Sequence, residues 1–422
     1  MKLLFLLLFS SLSFFAQVNF NDYFTKGALR LDIIEAGNSV SENIYFYSLK
    51  REPYFSGSHV NLIDTLNSGY YYFYIYSLTD NRLIFSKGFS TLFQEWQTTE
   101  EAKKQNRALN FSIRFPFPKD SVEIIIKRRN KKNIFHELYS LKINPENYFI
   151  ENESVDTTKV FKVFHSGDYQ KRLDILFLPE GYTNADSVKY HADCKRFADF
   201  LLGYSPFGEL KNKINIWGIN KFSQESGADI PGKGVYKKTL LGASYYTFDS
   251  ERYLMIEDYF KVADVAAAAP YDQIFILVNS DKYGGGAIYN YYSVVAAGNK
   301  KSELVFIHEF GHGLAGLADE YYTSDVSYEN YYDLNVEPWE KNITTLVNFG
   351  EKWKNLVAPN VPIPTPDDSV YFNKLGAFEG GGYVAKGVYR PTYTSIMKSL
   401  SANGFNLPSK NAIISVINFY SE

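Results

Sequence analysis

The apolar rhythm of this chain changes between Ile150 and Val160, and no other feature restricts its fold as much. Upstream, the runs are short and strand-like. Ala28 to Ile33, Tyr70 to Ser77, Leu109 to Phe115 and Ser121 to Ile126 alternate or are rich in aromatics, with turn residues between them. Several such strands over about 130 residues predict a β-sandwich. Aromatics make up 17% of the chain, 35 Tyr and 34 Phe among them, and they suit strands and sheet faces. Asn144 to Thr158 is polar and reads as a linker. Downstream, strands and helices alternate. Leu173 to Leu178, Ile214 to Asn220 and Gln273 to Val278 read as buried strands, while Ser187 to Leu202 and Ser250 to Ala266 have helical spacing. That order predicts an α/β domain built on a largely parallel sheet. A chain of 422 residues has room for two domains or three. The expected division is a leader over 1–16, a β-sandwich over 17–150 and a second domain over 151–422.

The leader is inferred from Met1-Lys2 followed by the apolar run Leu3 to Phe15, with Ala16 the expected cleavage position. The run is short for a membrane span, and no later stretch is long enough for one. Export as a secreted, periplasmic or cell-surface protein is therefore expected, with no membrane span once the leader is removed. A formal net charge of -3 and the lack of a basic stripe argue against a nucleic-acid partner. Cys194 is the only cysteine, which excludes an internal disulfide and a thiolate-rich metal site. Its apolar surroundings point to a buried small residue rather than a nucleophile. Gly227 to Lys233 imitates a phosphate-binding loop, but Gly234 stands where Ser or Thr must bind magnesium, and Pro231 removes a backbone donor. Nucleotide binding is rejected.

The chemistry is concentrated in Glu303 to Tyr322, ELVFIHEFGHGLAGLADEYY. Leu304, Val305, Phe306, Ile307, Phe310 and Leu314 predict a buried helix, with Ser302 as its N-cap. His308 and His312 are four apart and so stand one above the other on one face, where both imidazoles can reach a zinc ion. Glu309 lies beside the first ligand and can accept a proton from water rather than bind the metal. Two histidines and a glutamate on an apolar helix would be costly without such a task. A catalytic zinc needs a third protein ligand and an open position. No histidine follows His312, so a third histidine just downstream is excluded. Gly316 can end the helix in a left-handed turn, and Asp319, three residues on, can then return to the metal. Asp319 is favoured, and the adjacent Glu320 is its main competitor. Glu329, Glu337 or Glu340 would imply a different class of zinc peptidase.

These residues resemble the IgA-peptidase family of metallopeptidases, the igalysins, which belong with the metzincins. The likeness covers most of Leu173 to Leu400, and the β-rich upstream region suits the family's extra domain. It implies a metzincin-like α/β (α+β) zincin domain after an all-β sandwich, with His308, His312 and Asp319 as zinc ligands and Glu309 as general base. Gly316 stands one residue further from the second histidine than in most metzincins. Met397, in Thr394 to Lys398, falls where the family's supporting methionine turn would be. Glu379 to Tyr383 and Gly387 to Pro391 also look like igalysin sequence, and Tyr383 or Tyr389 is a candidate phenol donor to an oxyanion. Lys282 to Gly298, with Gly284 to Gly286, lies where metzincins bind extended substrate along an edge strand.

The activity expected is secreted zinc-dependent hydrolysis of protein or peptide bonds, with immunoglobulin a substrate by resemblance only. Two rivals stand beside it. One is an exported protein- or glycan-binding protein with an inert zincin domain, against which the retained Glu309 argues. The other is a zincin with a remote glutamate ligand.

Overall fold

The computed structural model describes residues 17–152, 155–322 and 331–421. The leader and Glu329 therefore lie outside the described residues.

The first half is built of strands Phe24–Asn38 (β1), Ser41–Glu52 (β2), Tyr71–Ser77 (β3), Leu83–Phe89 (β4), Arg107–Pro118 (β5), Val122–Arg129 (β6), Phe135–Ile143 (β7) and Ile150–Glu151 (β8). Two short helices, Phe20–Tyr23 (α1) and Leu92–Trp96 (α2), accompany them. They form two four-stranded sheets, ordered β5-β1-β2-β8 and β4-β3-β6-β7. Period-2 alternation does the work. In β5, Leu109, Phe111, Ile113 and Phe115 are buried against the other sheet, and the Phe89 and Phe111 rings lie 5.4 Å apart. The opposite face of β5 is not solvated, however. Asn110 Oδ1 accepts from Tyr259 N at 2.6 Å, and Arg114 Nη1 donates to Tyr271 O at 3.0 Å. The stretch read as a linker contributes β8, which pairs in parallel with β2 through Leu49 and Lys50.

The second half begins with Val160–Phe164 (β9) and continues through Leu173–Glu180 (β10), Ile214–Ile219 (β11), Gln273–Val278 (β12), Gly285–Ile288 (β13) and Tyr292–Ala296 (β14). These strands form one sheet in the order β13-β14-β12-β10-β11-β9. The four central strands are parallel, and the two edges run antiparallel. Both faces are covered, which is why β10 and β12 read as unbroken apolar runs. Phe275 and Leu277 face one core, while Ile274, Ile276 and Val278 face the core shared with the first half. Helices Ser187–Leu202 (α3), Tyr259–Ala266 (α4), Ser302–Ala315 (α5) and Leu407–Tyr420 (α6) complete the architecture, with a hairpin of Phe378–Gly381 (β15) and Val384–Arg390 (β16) before α6. The result is a mixed α/β protein with several sheets and an N-terminal β domain.

Two local expectations are corrected. Helix α4 starts at Tyr259, not Ser250, because the preceding residues are claimed by extended pairing. Tyr253 bridges Gly285 and Met255 bridges Ser244, while Ile256 N bonds the Tyr292 hydroxyl at 2.9 Å. Ser302 is the first residue of α5, and Lys301 takes the cap position. The buried Ser302 hydroxyl accepts from Arg196 Nη1 at 3.2 Å, so it is not free to cap the helix.

Candidate metal centre

Helix α5 lies against β13 and β14 with almost no clearance. A Cβ at Gly313 would stand 2.1 Å from Ser293 Oγ, and one at Gly311 would stand 2.9 Å from Met397 Sδ. The two glycines let the helix sink between the sheet and the Met397 loop, and Met397 is fully buried beneath it. His308 and His312 remain partly exposed, on the side away from that core.

The imidazoles are fixed through their far nitrogens. His308 Nδ1 pairs with Ile396 O at 3.0 Å and His312 Nδ1 with Leu317 O at 2.5 Å. A carbonyl can only accept, so both Nδ1 atoms carry the proton and both Nε2 atoms are left as lone-pair donors. The two Nε2 atoms are 3.1 Å apart. Gly316, at φ +58°, turns the chain back after the helix, and a Cβ there would meet the Trp339 ring at 2.6 Å. The return brings Asp319 Oδ1 to 3.1 Å from His308 Nε2 and 3.3 Å from His312 Nε2. One atom from each of His308, His312 and Asp319 falls within 4.8 Å of the others, so the three could hold a metal ion. The donor set fits such an ion: two neutral imidazole nitrogens and a carboxylate oxygen that is buried and accepts no hydrogen bond.

Electrostatics follow from the crowding. Burial alone would raise the Asp319 carboxyl, but His312 and His308 hold it well below the usual range. Burial pulls the His312 imidazole down, yet the Asp319 charge outweighs this and sets it at about 9, with His308 raised in the same way. Glu309 is raised by burial, against the opposing pull of His308 and His312. A Cβ at Gly285 would be 3.3 Å from Glu309 Oε1, so the bare backbone of β13 borders this carboxyl.

The other candidates fall into distinct places. Glu320 turns away from the cluster and is taken up by Asn342, Asn406 and Ser395. Glu337 accepts from Thr345 and Asn348 N, and Glu340 accepts from Tyr332 at 3.0 Å. Tyr383 donates its hydroxyl to Asp319 Oδ2, while Gly382 N bonds Asp319 O at 2.7 Å. It therefore orients the Asp319 carboxylate. Tyr389 pairs with Thr344, and among the described residues no hydrogen bond joins it to the cluster. Burial pushes the Cys194 thiol up, as expected for an inert core residue. Asn342 escaped sequence reading. It clasps Ala318 at both N and O at 2.8 Å and so fixes the approach of Asp319, but a lone loop asparagine carries no motif.

The sequence model of the family described as IgA peptidase M64 matches residues 161–375 and 367–417, and that of the peptidase M64 N-terminus matches residues 19–140. No curated protein matches the chain. The matched catalytic region spans more than half of the length and contains the His308, His312 and Asp319 cluster, and the chain belongs to the IgA peptidase M64 family.

Proposed function

We propose that this chain is an exported zinc endopeptidase of metzincin-like build, with its catalytic domain over 151–422 and a β-sandwich over 17–150. The observation that carries the reading is the convergence of two Nε2 atoms and one carboxylate oxygen, each fixed from behind, next to a glutamate that binds none of them. His308, His312 and Asp319 would hold the ion. When bound, zinc supplies Lewis acidity toward water and the scissile carbonyl. Glu309 takes the proton from the attacking water and returns it to the leaving amine. Its burial suits both tasks, since a raised carboxyl holds a proton longer before giving it up. Tyr383 keeps Asp319 in position, and Met397 supports α5 from below. Export rests on the apolar run before Gln17. Among the described residues no helix is long and apolar enough to cross a membrane. The substrate class is protein or peptide, and immunoglobulin enters only through the family's description.

The test combines metal content with peptide hydrolysis. The purified chain should carry about one zinc, removable by chelation. Glu309→Gln should retain that zinc and lose about a hundredfold or more in rate. His308→Ala, His312→Ala and Asp319→Ala should lose metal and activity together. Undiminished hydrolysis by Glu309→Gln would refute the mechanism.

A further inference from the structure

Helix α2 of the N-terminal domain lies near the candidate active site. Asn290 Nδ2, in the turn between β13 and β14, donates to Gly88 O at 2.8 Å, and Ser90 N donates to Tyr289 O at 3.0 Å. These bonds carry α2 to the outer edge of the strand that begins beside Glu309. There Tyr253, whose backbone bridges Gly285, donates its hydroxyl to Glu95 Oε2 at 2.5 Å. The Tyr253 ring occupies the space of a side chain at Gly286, with Cε2 2.6 Å from where a Cβ would be. Glu95, through Tyr253, and Glu309 thus flank the first two residues of one short edge strand. The charges of His312, Glu309 and Asp319 all act on the Glu95 carboxyl.

Most other buried acids of this domain have cations of their own. Arg30 serves Asp32 and Glu52, and Arg128 serves Glu42. Among the described residues Glu95 makes no ion pair, and its side-chain partner is the Tyr253 hydroxyl. Burial pushes its carboxyl up to about 7, while the Tyr253 hydroxyl pulls the other way. Half-buried beside this edge strand, such a group can be balanced by a cation brought from outside. The neighbouring Arg252 is exposed and acts on Glu309, Tyr283 and Tyr321.

We infer that Glu95 recognises a cationic group of the peptide substrate near the cut bond, either a lysine or arginine side chain or a free amino terminus. The N-terminal domain then determines specificity as well as framing the cleft. This rests on the peptidase reading.

The experiment compares kcat/KM for matched peptides in the full-length wild type and in Glu95→Gln, which can still accept from Tyr253. The peptides carry lysine, norleucine or glutamate at successive positions around the cut bond, each with a free or an acetylated amino terminus. The wild type should favour the cationic peptide over its neutral partner by about tenfold or more, and Glu95→Gln should bring that ratio close to one. Glu95→Lys should reverse the preference toward glutamate. Sensitivity to acetylation identifies the amino terminus as the cation, and sensitivity to lysine against norleucine identifies a side chain. A wild type that cleaves cationic and neutral peptides alike, with a ratio unmoved by Glu95→Gln, overturns this inference alone. A wild type that cleaves none of the peptides overturns the peptidase reading and this inference with it.

Discussion

Asp319 and Glu320 are adjacent carboxylates in opposite chemical situations. Their side chains leave the chain toward different neighbours. Asp319 faces two imidazoles, which favour its ionised form. Glu320 faces three neutral donors. Asn342 Nδ2 at 3.0 Å and Asn406 Nδ2 at 2.8 Å reach Oε1, and Ser395 Oγ at 2.6 Å reaches Oε2. Burial raises the Glu320 carboxyl, and those three bonds oppose the rise. This residue therefore ties together the Asp319 segment, the Met397 loop and the start of α6. Glu320→Ala would leave the Asn342 and Asn406 amides and the Ser395 hydroxyl, all buried, without their acceptor. It should destabilise the chain by about 1–3 kcal/mol, read from denaturant unfolding, while leaving zinc stoichiometry near one. Loss of metal without loss of stability would show that Glu320, not Asp319, is the ligand. The sequence could not separate the two, because the choice depends on which side of the returning chain meets the helix.

At the scale of elements, close approach of α5 to the sheet decides where the imidazoles stand. Gly313 is ordinarily a poor helix residue, and alanine there would gain about 1 kcal/mol of helix propensity. The space is already occupied, since Ser293 Oγ would be 2.1 Å from the new Cβ. Gly313→Ala should therefore lower stability by about 1–3 kcal/mol. Adding Ser293→Ala leaves Ser293 Cβ at 3.5 Å from that position, an ordinary contact, so the double variant should recover most of the loss. Additive effects in a double-mutant cycle would refute this packing account. Unbroken apolar runs made β10 and β12 legible in advance, and helical spacing did the same for α3 and for α5 as far as Gly316, because each is set by burial of its own side chains. The segment before α4 was misread for the same reason. Leu254 and Ile256 are buried as a helix would bury them, but their backbone bonds go to distant strands that local spacing does not encode. Likewise β13 is four residues long and rich in glycine, so its place at the sheet edge came from the family resemblance rather than from periodicity.

At the scale of the whole molecule, the two halves share a polar seam that neither half reveals by itself. Arg30 lies inside the first half's sheet and reaches Asp264 of α4, while Asn61 Nδ2 donates to Phe419 O at 2.9 Å near the end of α6. A cavity in this seam is lined by Lys87, Arg114, Asp272 and Tyr420, and by none of the four metal-centre residues. Polar residues on the outer face of a predicted sandwich look solvated in the sequence, which is why this junction was not foreseen. Asp272 is the group through which the seam should respond to pH. Its Oδ2 accepts from Asp174 N at 2.9 Å, and Asp174 is itself buried with one oxygen unpartnered. Burial raises the Asp272 carboxyl to about 7, although Lys87 and Arg114 pull against it, and burial together with Asp272 raises Asp174. A carboxyl raised in the folded state binds its proton more tightly there than in the unfolded chain, whose value is about 4. Its contribution is thus fully favourable below about pH 4, is lost as pH climbs toward 7, and changes little beyond. Asn at this position still accepts from Asp174 N but does not ionise. The stability of Asp272→Asn relative to wild type should accordingly rise by about 1 kcal/mol or more between pH 5 and pH 8, with the greater part gained below pH 7. Urea unfolding of both proteins at several pH values in that range measures the difference, and a gap that does not widen with pH would show that Asp272 is already ionised in the folded chain.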